Sequence, residues 1–335
     1  MWPTSRDRRV LLPLACAGVL SLVPTYVGWA FRPGGPEGPP YVPQRQATPQ
    51  EPTFRGGTRT VPIWVSATDD IGRFVLDLKR EDFEIRDDGK LQTITQFTTD
   101  VQPMTAVVLL DGSRSMVKAL DTVMTAADHL VVRLRPGDRA RVGSFADEIR
   151  FTPAFTSDRD QLARQVNDLF DLRIGATTRL WDAVSQAAAQ FEGGEGRRVI
   201  VVFTDGDDTA SIASADEALT RARRADAMLY MVLIRGMERL PEDRRGARRG
   251  GRSQDSADVA LSTGGGYYVV NNVLDDMNMI STQIAEELHN QYVLGFVPVE
   301  LDGKLHKLDV RVKRPRLKVR ARQTYIAEPE QIGGR

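Results

Sequence analysis

The sequence predicts an α/β protein: a doubly wound, mostly parallel sheet with helices on both faces, inserted between terminal β segments that form a small β-sandwich. Three observations predict it. Continuous apolar runs ending in aspartate, Val107 to Asp111 and Val199 to Asp205, have the pattern of strands buried on both faces. Helical periodicity alternates with such runs between residues 101 and 290, which argues for parallel strands joined by crossover helices. Alternating strand patterns occupy both flanks, and neither flank has enough strands to hold a core alone. The two are therefore expected to pack together, with two separate hairpins lying on the main domain as the alternative.

The elements follow in chain order. Arg6, Arg8 and Arg9 precede an apolar run from Val10 to Val27, with Gly28-Trp29-Ala30 after it. This is the layout of an export signal over residues 1–30. The run also approaches the length of a bilayer span, so an uncleaved anchor through residues 10–27 is the alternative. Residues 31–57 are rich in Pro, Gly and Gln and read as an extended linker. In residues 58–100, Val61, Ile63 and Val65 alternate, and Asp88-Gly89 is a hairpin turn between Phe83-Glu84-Ile85 and Leu91 to Phe97.

Within 101–290, Leu120, Val123, Met124, Ala127, Leu130, Val131 and Leu134 recur at helical spacing until Pro136-Gly137 breaks the pattern. Ala140 to Phe145 reads as a strand. Ser157 reads as the cap of an amphipathic helix carrying Leu162, Val166 and Leu169. Ala183, Ala187 and Phe191 mark the next helix, Ala227 to Ile234 and Tyr267 to Val270 two more strands, and Val273 to Leu288 a last helix. The Arg- and Gly-rich stretch from Arg235 to Arg252 reads as a surface insertion. Residues 291–326 return to strand patterns. There Arg311, Lys313, Arg314, Arg316, Lys318, Arg320 and Arg322 form a basic face expected to be solvated.

Composition narrows the function. The 45 basic and 45 acidic residues balance, so nothing electrostatic favours a nucleic-acid partner. The single cysteine, Cys16, lies in the first apolar run, which leaves the domains no disulfide, zinc-thiolate site or thiol nucleophile. His129, His289 and His306 are far apart and none lies on a loop expected to bind metal. They are expected at the surface or at interfaces, not as ligands.

The chemistry-bearing residues gather at one sheet edge. Asp111-Gly112-Ser113-Arg114-Ser115 follows the first long apolar run. It sits where the carboxyl end of a strand meets a loop, the ligand-binding edge of open α/β sheets. One carboxylate and two hydroxyls are hard oxygen donors for Mg²⁺, Mn²⁺ or Ca²⁺. Capping of a following helix is the competing reading of the same residues. Asp205-Gly206 brings a second carboxylate to that edge. Between them, Thr178 stands near a helix start, where its hydroxyl can cap or bind metal. The Asp207-Asp208 pair reads as a solvated turn.

These three pieces, in this order, resemble the von Willebrand factor type A domain with its metal-ion-dependent adhesion site, or MIDAS. The resemblance implies a metal held by Asp111, Ser113, Ser115, Thr178 and Asp205. Thr177 competes for the threonine place, and the four-residue spacing to Asp182 favours Thr178. The flanks, Leu78 to Ile85 with Asp88 to Phe97, and Gln291 to Phe296 with Val319 to Tyr325, are similar to a bacterial family of exported VWFA-related proteins. The function implied is divalent-cation-dependent protein binding outside the cytoplasm, in which an Asp or Glu of the partner completes the metal. Two other classes compete. One is an envelope assembly module with a dispensable metal site. The other is Mg²⁺-dependent phosphoryl transfer, against which stands the lack of a Gly-x-x-x-x-Gly-Lys loop and of a histidine base beside Ser113. The chain is therefore not expected to be an enzyme.

Overall fold

The computed structural model describes residues 60–170, 174–191, 196–235, 251–271 and 273–328. The expected export signal or anchor, the linker and most of the Arg/Gly stretch lie outside these. No helix among the described residues is long and apolar enough to cross a membrane.

The strands and helices, in chain order, are β1 (Val61–Thr68), β2 (Phe83–Asp87), β3 (Lys90–Gln92), β4 (Gln96–Thr98), β5 (Met104–Asp111), α1 (Leu120–Val132), β6 (Arg139–Phe145), β7 (Ile149–Phe151), α2 (Arg159–Phe170) and α3 (Leu180–Ala189). They continue as β8 (Arg197–Thr204), α4 (Ala215–Arg224), β9 (Ala227–Ile234), α5 (Gly251–Ser262), β10 (Tyr267–Val270), α6 (Val273–His289), β11 (Tyr292–Phe296), β12 (Leu305–Val312), β13 (Lys318–Arg320) and β14 (Thr324–Ile326).

The central sheet has the order β10-β9-β8-β5-β6-β7. Every pairing is parallel except β6 with β7. Side chains alternate along β5 and sort the helices into two layers. Ala106, Val108 and Leu110 pack with α1, α2 and α6, whereas Val107 and Leu109 pack with α3, α4 and α5. This is the doubly wound arrangement that two-sided burial demands. Three features lacked a strong signal: the short antiparallel edge strand β7, the helix α5, and the start of α2. There Asp158 and not Ser157 accepts the Gln161 N–H, at 2.9 Å.

The two ends of the chain meet in a sandwich of two four-stranded sheets, ordered β13-β1-β11-β4 and β14-β12-β2-β3. Ile63, Val65, Tyr292, Leu294 and Phe296 from one sheet share a core with Phe83, Ile85, Leu308 and Tyr325 from the other. The Phe83 and Tyr292 rings lie 5.1 Å apart. Fully burying a side chain of this size contributes about 1.5–3 kcal/mol, and neither terminal segment could bury these residues alone.

A polar joint fixes the sandwich to the central sheet. Glu287 of α6 is 2% exposed. It accepts hydrogen bonds from Ser66 of β1 at 2.8 Å, Tyr230 of β9 at 3.1 Å and Tyr268 of β10 at 2.9 Å, and it pairs with Arg320 of β13. Burial disfavours the Arg320 charge, but Glu287 outweighs it and raises the guanidinium pKa. The basic face therefore differs from expectation. Arg320 and Arg322 turn toward the α/β layers, Arg322 pairing with Asp226, because a buried carboxylate and a strand-edge acceptor wait there. Arg311 and Arg314 stay outward on Asp309 and Asp77.

Candidate functional site

Chain order reverses between β5 and β8. From β5 the chain passes to β6 on one side, and β8 later pairs on the other, with Leu110 opposite Phe203. Such a switch point leaves a crevice at the carboxyl ends of the two strands. Asp111 is the last residue of β5, and Asp205 directly follows β8.

Asp111 has no exposed surface. Its Oδ1 accepts the Ser113 N–H at 2.9 Å and its Oδ2 accepts the Thr204 hydroxyl at 2.7 Å. Burial pushes the Asp111 carboxyl up to about 7, and the nearby Asp205 carboxylate adds to the push against these hydrogen bonds. Thr204 Oγ1 also accepts the Gly206 N–H at 3.0 Å. Gly206 has φ +82°, a backbone conformation that side chains rarely adopt, which favours glycine after Asp205. Asp205 accepts the Asp207 N–H at 3.0 Å. The Ser113 and Ser115 hydroxyls lie 3.0 Å apart, Ser115 on a 3₁₀ turn over Arg114–Ala119.

The threonine loop is locked to the Asp111 loop through its backbone. Arg114 N–H donates to Gly175 O at 2.9 Å, and Gly175 N–H donates to Gly112 O at 3.1 Å. Asp147, after β6, accepts the Ala176 N–H at 3.1 Å and both the N–H and the hydroxyl of Thr177 at 2.8 and 2.6 Å. The Thr177 hydroxyl is thus already engaged. Thr178 is 3% exposed. Its carbonyl accepts the N–H groups of Thr209 and Ala210 at 2.9 and 3.0 Å, and its own N–H donates to Thr209 Oγ1 at 2.8 Å.

The loop after β8 is held in turn by α3. Asp182 accepts the Ile212 and Ala213 N–H groups and pairs with Arg179. Asp208 is not a solvated turn residue, because its Oδ1 accepts the Leu180 N–H at 2.9 Å and the Ser211 hydroxyl at 2.6 Å. A carboxylate at the start of α3 satisfies N–H groups that the helix leaves free. Sequence reading missed Asp147 and Thr204 as supports, since neither stands in a spaced motif with the residues it holds.

The donor set suits a hard divalent cation. Two carboxylates at one desolvated position repel, and a cation between them would remove that cost. Each of the three loops also carries an exposed apolar side chain: Val117 on the turn after Ser115, Ile174 before Gly175 and Ile212 in the loop after β8.

Residues 106–249 match the family model of the von Willebrand factor type A domain. No curated protein matches the chain. Among solved structures, it is similar to an aerotolerance-related membrane protein from Bacteroides fragilis NCTC 9343 carrying multiple mutations to serine. The identity is 22% over 55% of this chain and 98% of that one, with a TM-score of 0.45. The conserved hypothetical protein BatB from Bacteroides thetaiotaomicron is 20% identical over 55% of this chain and 98% of its own, with a TM-score of 0.44. Proximal thread matrix protein 1 from the mussel byssus, solved with a zinc-occupied MIDAS motif, is 14% identical over 60% of this chain and 49% of its own, with a TM-score of 0.48. The match across residues 106–249 falls on the doubly wound sheet, so it is this part of the chain that is similar to a von Willebrand factor type A domain.

Proposed function

We propose that the chain is a divalent-cation-dependent protein-binding module that works outside the cytoplasm. Asp111, Ser113, Ser115, Thr178 and Asp205 would hold Mg²⁺, with Mn²⁺ or Ca²⁺ as substitutes. The observation that carries this reading is the wholly buried Asp111 carboxyl, held at the switch point beside Asp205 and raised by burial and by that neighbour. A bound cation supplies a positive centre with a coordination place for an anionic ligand. This chain's own residues supply the rest. Thr204 and the Ser113 N–H orient Asp111, the Gly175 bridge sets the threonine loop against it, and Val117, Ile174 and Ile212 expose apolar surface on the same three loops. A protein side chain ending in carboxylate, flanked by apolar residues, suits both features. The work outside the cytoplasm rests on the Arg-led apolar run before Val27, and fractionation of cells carrying the tagged chain tests it: recovery in the cytosol alone would end it.

The test of the site is calorimetric titration with Mg²⁺ and Mn²⁺, followed by capture of peptides ending in Glu or Asp flanked by apolar residues. Wild type should bind one equivalent of Mg²⁺ and capture peptide only with the ion present, and Asp111→Ala should lose both. Undetectable binding at millimolar Mg²⁺, or capture unaffected by chelator, would end the reading.

A further inference from the structure

The sandwich contains a second constellation of ionisable groups that the site at the sheet edge does not use. Among the described residues, Asp87, Asp88 and His306 each present one ligand atom, and the three atoms lie within 4.8 Å of one another. The chain brings them together from far apart, 219 residues separating Asp87 from His306. Asp87 ends β2, and Asp88 begins its hairpin with φ +46°, followed by Gly89 at φ +81°, which is the backbone of a tight Asp-Gly turn. His306 lies on β12, which pairs with β2 on one side and β14 on the other.

Each of the three side chains has one polar atom engaged and one turned to the common centre. Asp87 Oδ2 accepts the Tyr325 hydroxyl at 3.0 Å. Asp88 Oδ1 accepts the Lys307 N–H at 2.9 Å. His306 Nε2 lies 3.2 Å from Asp302 Oδ1. Asp302 and Asp87 both only accept, so without an ion the ring carries protons on Nε2 and Nδ1. A metal at Nδ1 would displace the second proton while Nε2 keeps the first. The remaining atoms converge: His306 Nδ1 is 3.0 Å from Asp87 Oδ1 and 3.6 Å from Asp88 Oδ2, with the Tyr325 oxygen 3.4 Å away. A tetrahedral ion with bonds of about 2.0–2.2 Å separates adjacent donors by about 3.4 Å. The observed spacings bracket that value. A histidine whose far nitrogen donates to a carboxylate is the outer arrangement that orients metal ligands.

We propose that Asp87, Asp88 and His306 bind a zinc-class divalent cation, with Asp302, Tyr325 and the Lys307 amide fixing the three ligands. Two carboxylates match the dication's charge, and Asp302 is already balanced by Lys304 at 2.8 Å. An imidazole with two carboxylates favours Zn²⁺ over Mg²⁺, whereas the all-oxygen set at the sheet edge has the opposite preference. The residues line an open cavity of about 270 Å³ shared with Glu300 and Lys304, which admits the ion and leaves room for water in the fourth position. The ion would clamp the β2 hairpin from the amino-terminal flank to β12 from the carboxyl-terminal flank.

The experiment uses the full chain as wild type, Asp111→Ala and Asp88→Asn, titrated with Zn²⁺ while the His306 ring nitrogens are followed by ¹⁵N NMR. Asn tolerates the left-handed backbone at position 88 and still accepts from Lys307, so Asp88→Asn keeps the fold. Wild type and Asp111→Ala should both show Nδ1 of His306 shifting on binding, with Nε2 still protonated. Asp88→Asn should weaken that event about 10-fold or more. Zn²⁺ binding that leaves the His306 nitrogens unmoved, ligation through Nε2, or an affinity unchanged in Asp88→Asn would each overturn the proposal and reduce the cluster to a buried ion pair. Loss of the His306 signal in Asp111→Ala alone would overturn it too, whatever becomes of the sheet-edge site.

Discussion

Gly175→Ala isolates the loop geometry at the sheet edge without removing any proposed ligand. Gly175 is wedged between two loops. Its backbone bridges to Gly112 and Arg114 at 3.1 and 2.9 Å. A Cβ added there would lie 2.4 Å from Ala146 Cβ and 2.8 Å from the Asp147 amide nitrogen. Neither neighbour is the end of a flexible chain, so the threonine loop must move away from the β6–β7 turn. Two backbone hydrogen bonds at about 0.5–1.5 kcal/mol each are then strained or lost, and overpacking adds about 1–3 kcal/mol. The expected destabilisation is about 3 kcal/mol in urea unfolding, within a range of about 2–6 kcal/mol from those terms. The same movement carries Thr178 off its place, so Mg²⁺ affinity should fall with all five donors intact. A variant within about 0.5 kcal/mol of wild type, binding Mg²⁺ unchanged, would refute the claim that this backbone bridge sets the loop.

Two further outcomes are expected. Glu287→Ala leaves Arg320, Tyr230, Tyr268 and Ser66 facing an empty buried position. It should cost about 3–5 kcal/mol and make the sandwich strands more sensitive to limited proteolysis, and an unchanged cleavage pattern would show that the joint is not held there. At Asp182, burial favours the neutral form, but the Ala213 and Ile212 N–H groups and Arg179 outweigh it and hold the carboxyl below its usual value. A lowered acid contributes stability that is present above the unfolded carboxylate pKa, about 3.9, and is lost as pH falls through the lower folded value. Asp182→Asn should therefore be less stable than wild type at pH 7, by about 1–2 kcal/mol, and the two should converge in acid. Parallel stability curves down to about pH 2 would contradict this.

The legibility of this chain in its sequence follows from how local each signal is. β5 and β8 announce themselves because two-sided burial forces unbroken apolar runs, and the aspartates that end them mark the crevice. The sandwich was foreseeable because each flank lacks strands enough for a core. β7 was not, since its three residues are all only half-buried and its pairing depends on β6 alone. The supports of the sheet-edge site were hidden for a related reason. Asp147 holds Thr177 across 30 residues and Thr204 holds Asp111 across 93, with no periodicity linking them. The burial of two histidines was hidden on the same ground. His289 and His306 are 9% and 8% exposed, buried against Asp138 and Asp87, because each aspartate sits far along the chain.

The pairing of β1 with β11 has a consequence for how the molecule is made. Ser66 and Glu287 stand 221 residues apart, yet they meet in one joint. During synthesis β1 leaves the ribosome long before β11 and β13 exist, with unsatisfied edges on both sides. The central sheet can close while that strand waits, and β11 to β14 then complete the sandwich. Chains cut short before Phe296 keep the nucleus of the α/β part but strand an apolar ribbon in solvent, the kind of species that chaperones hold and proteases remove.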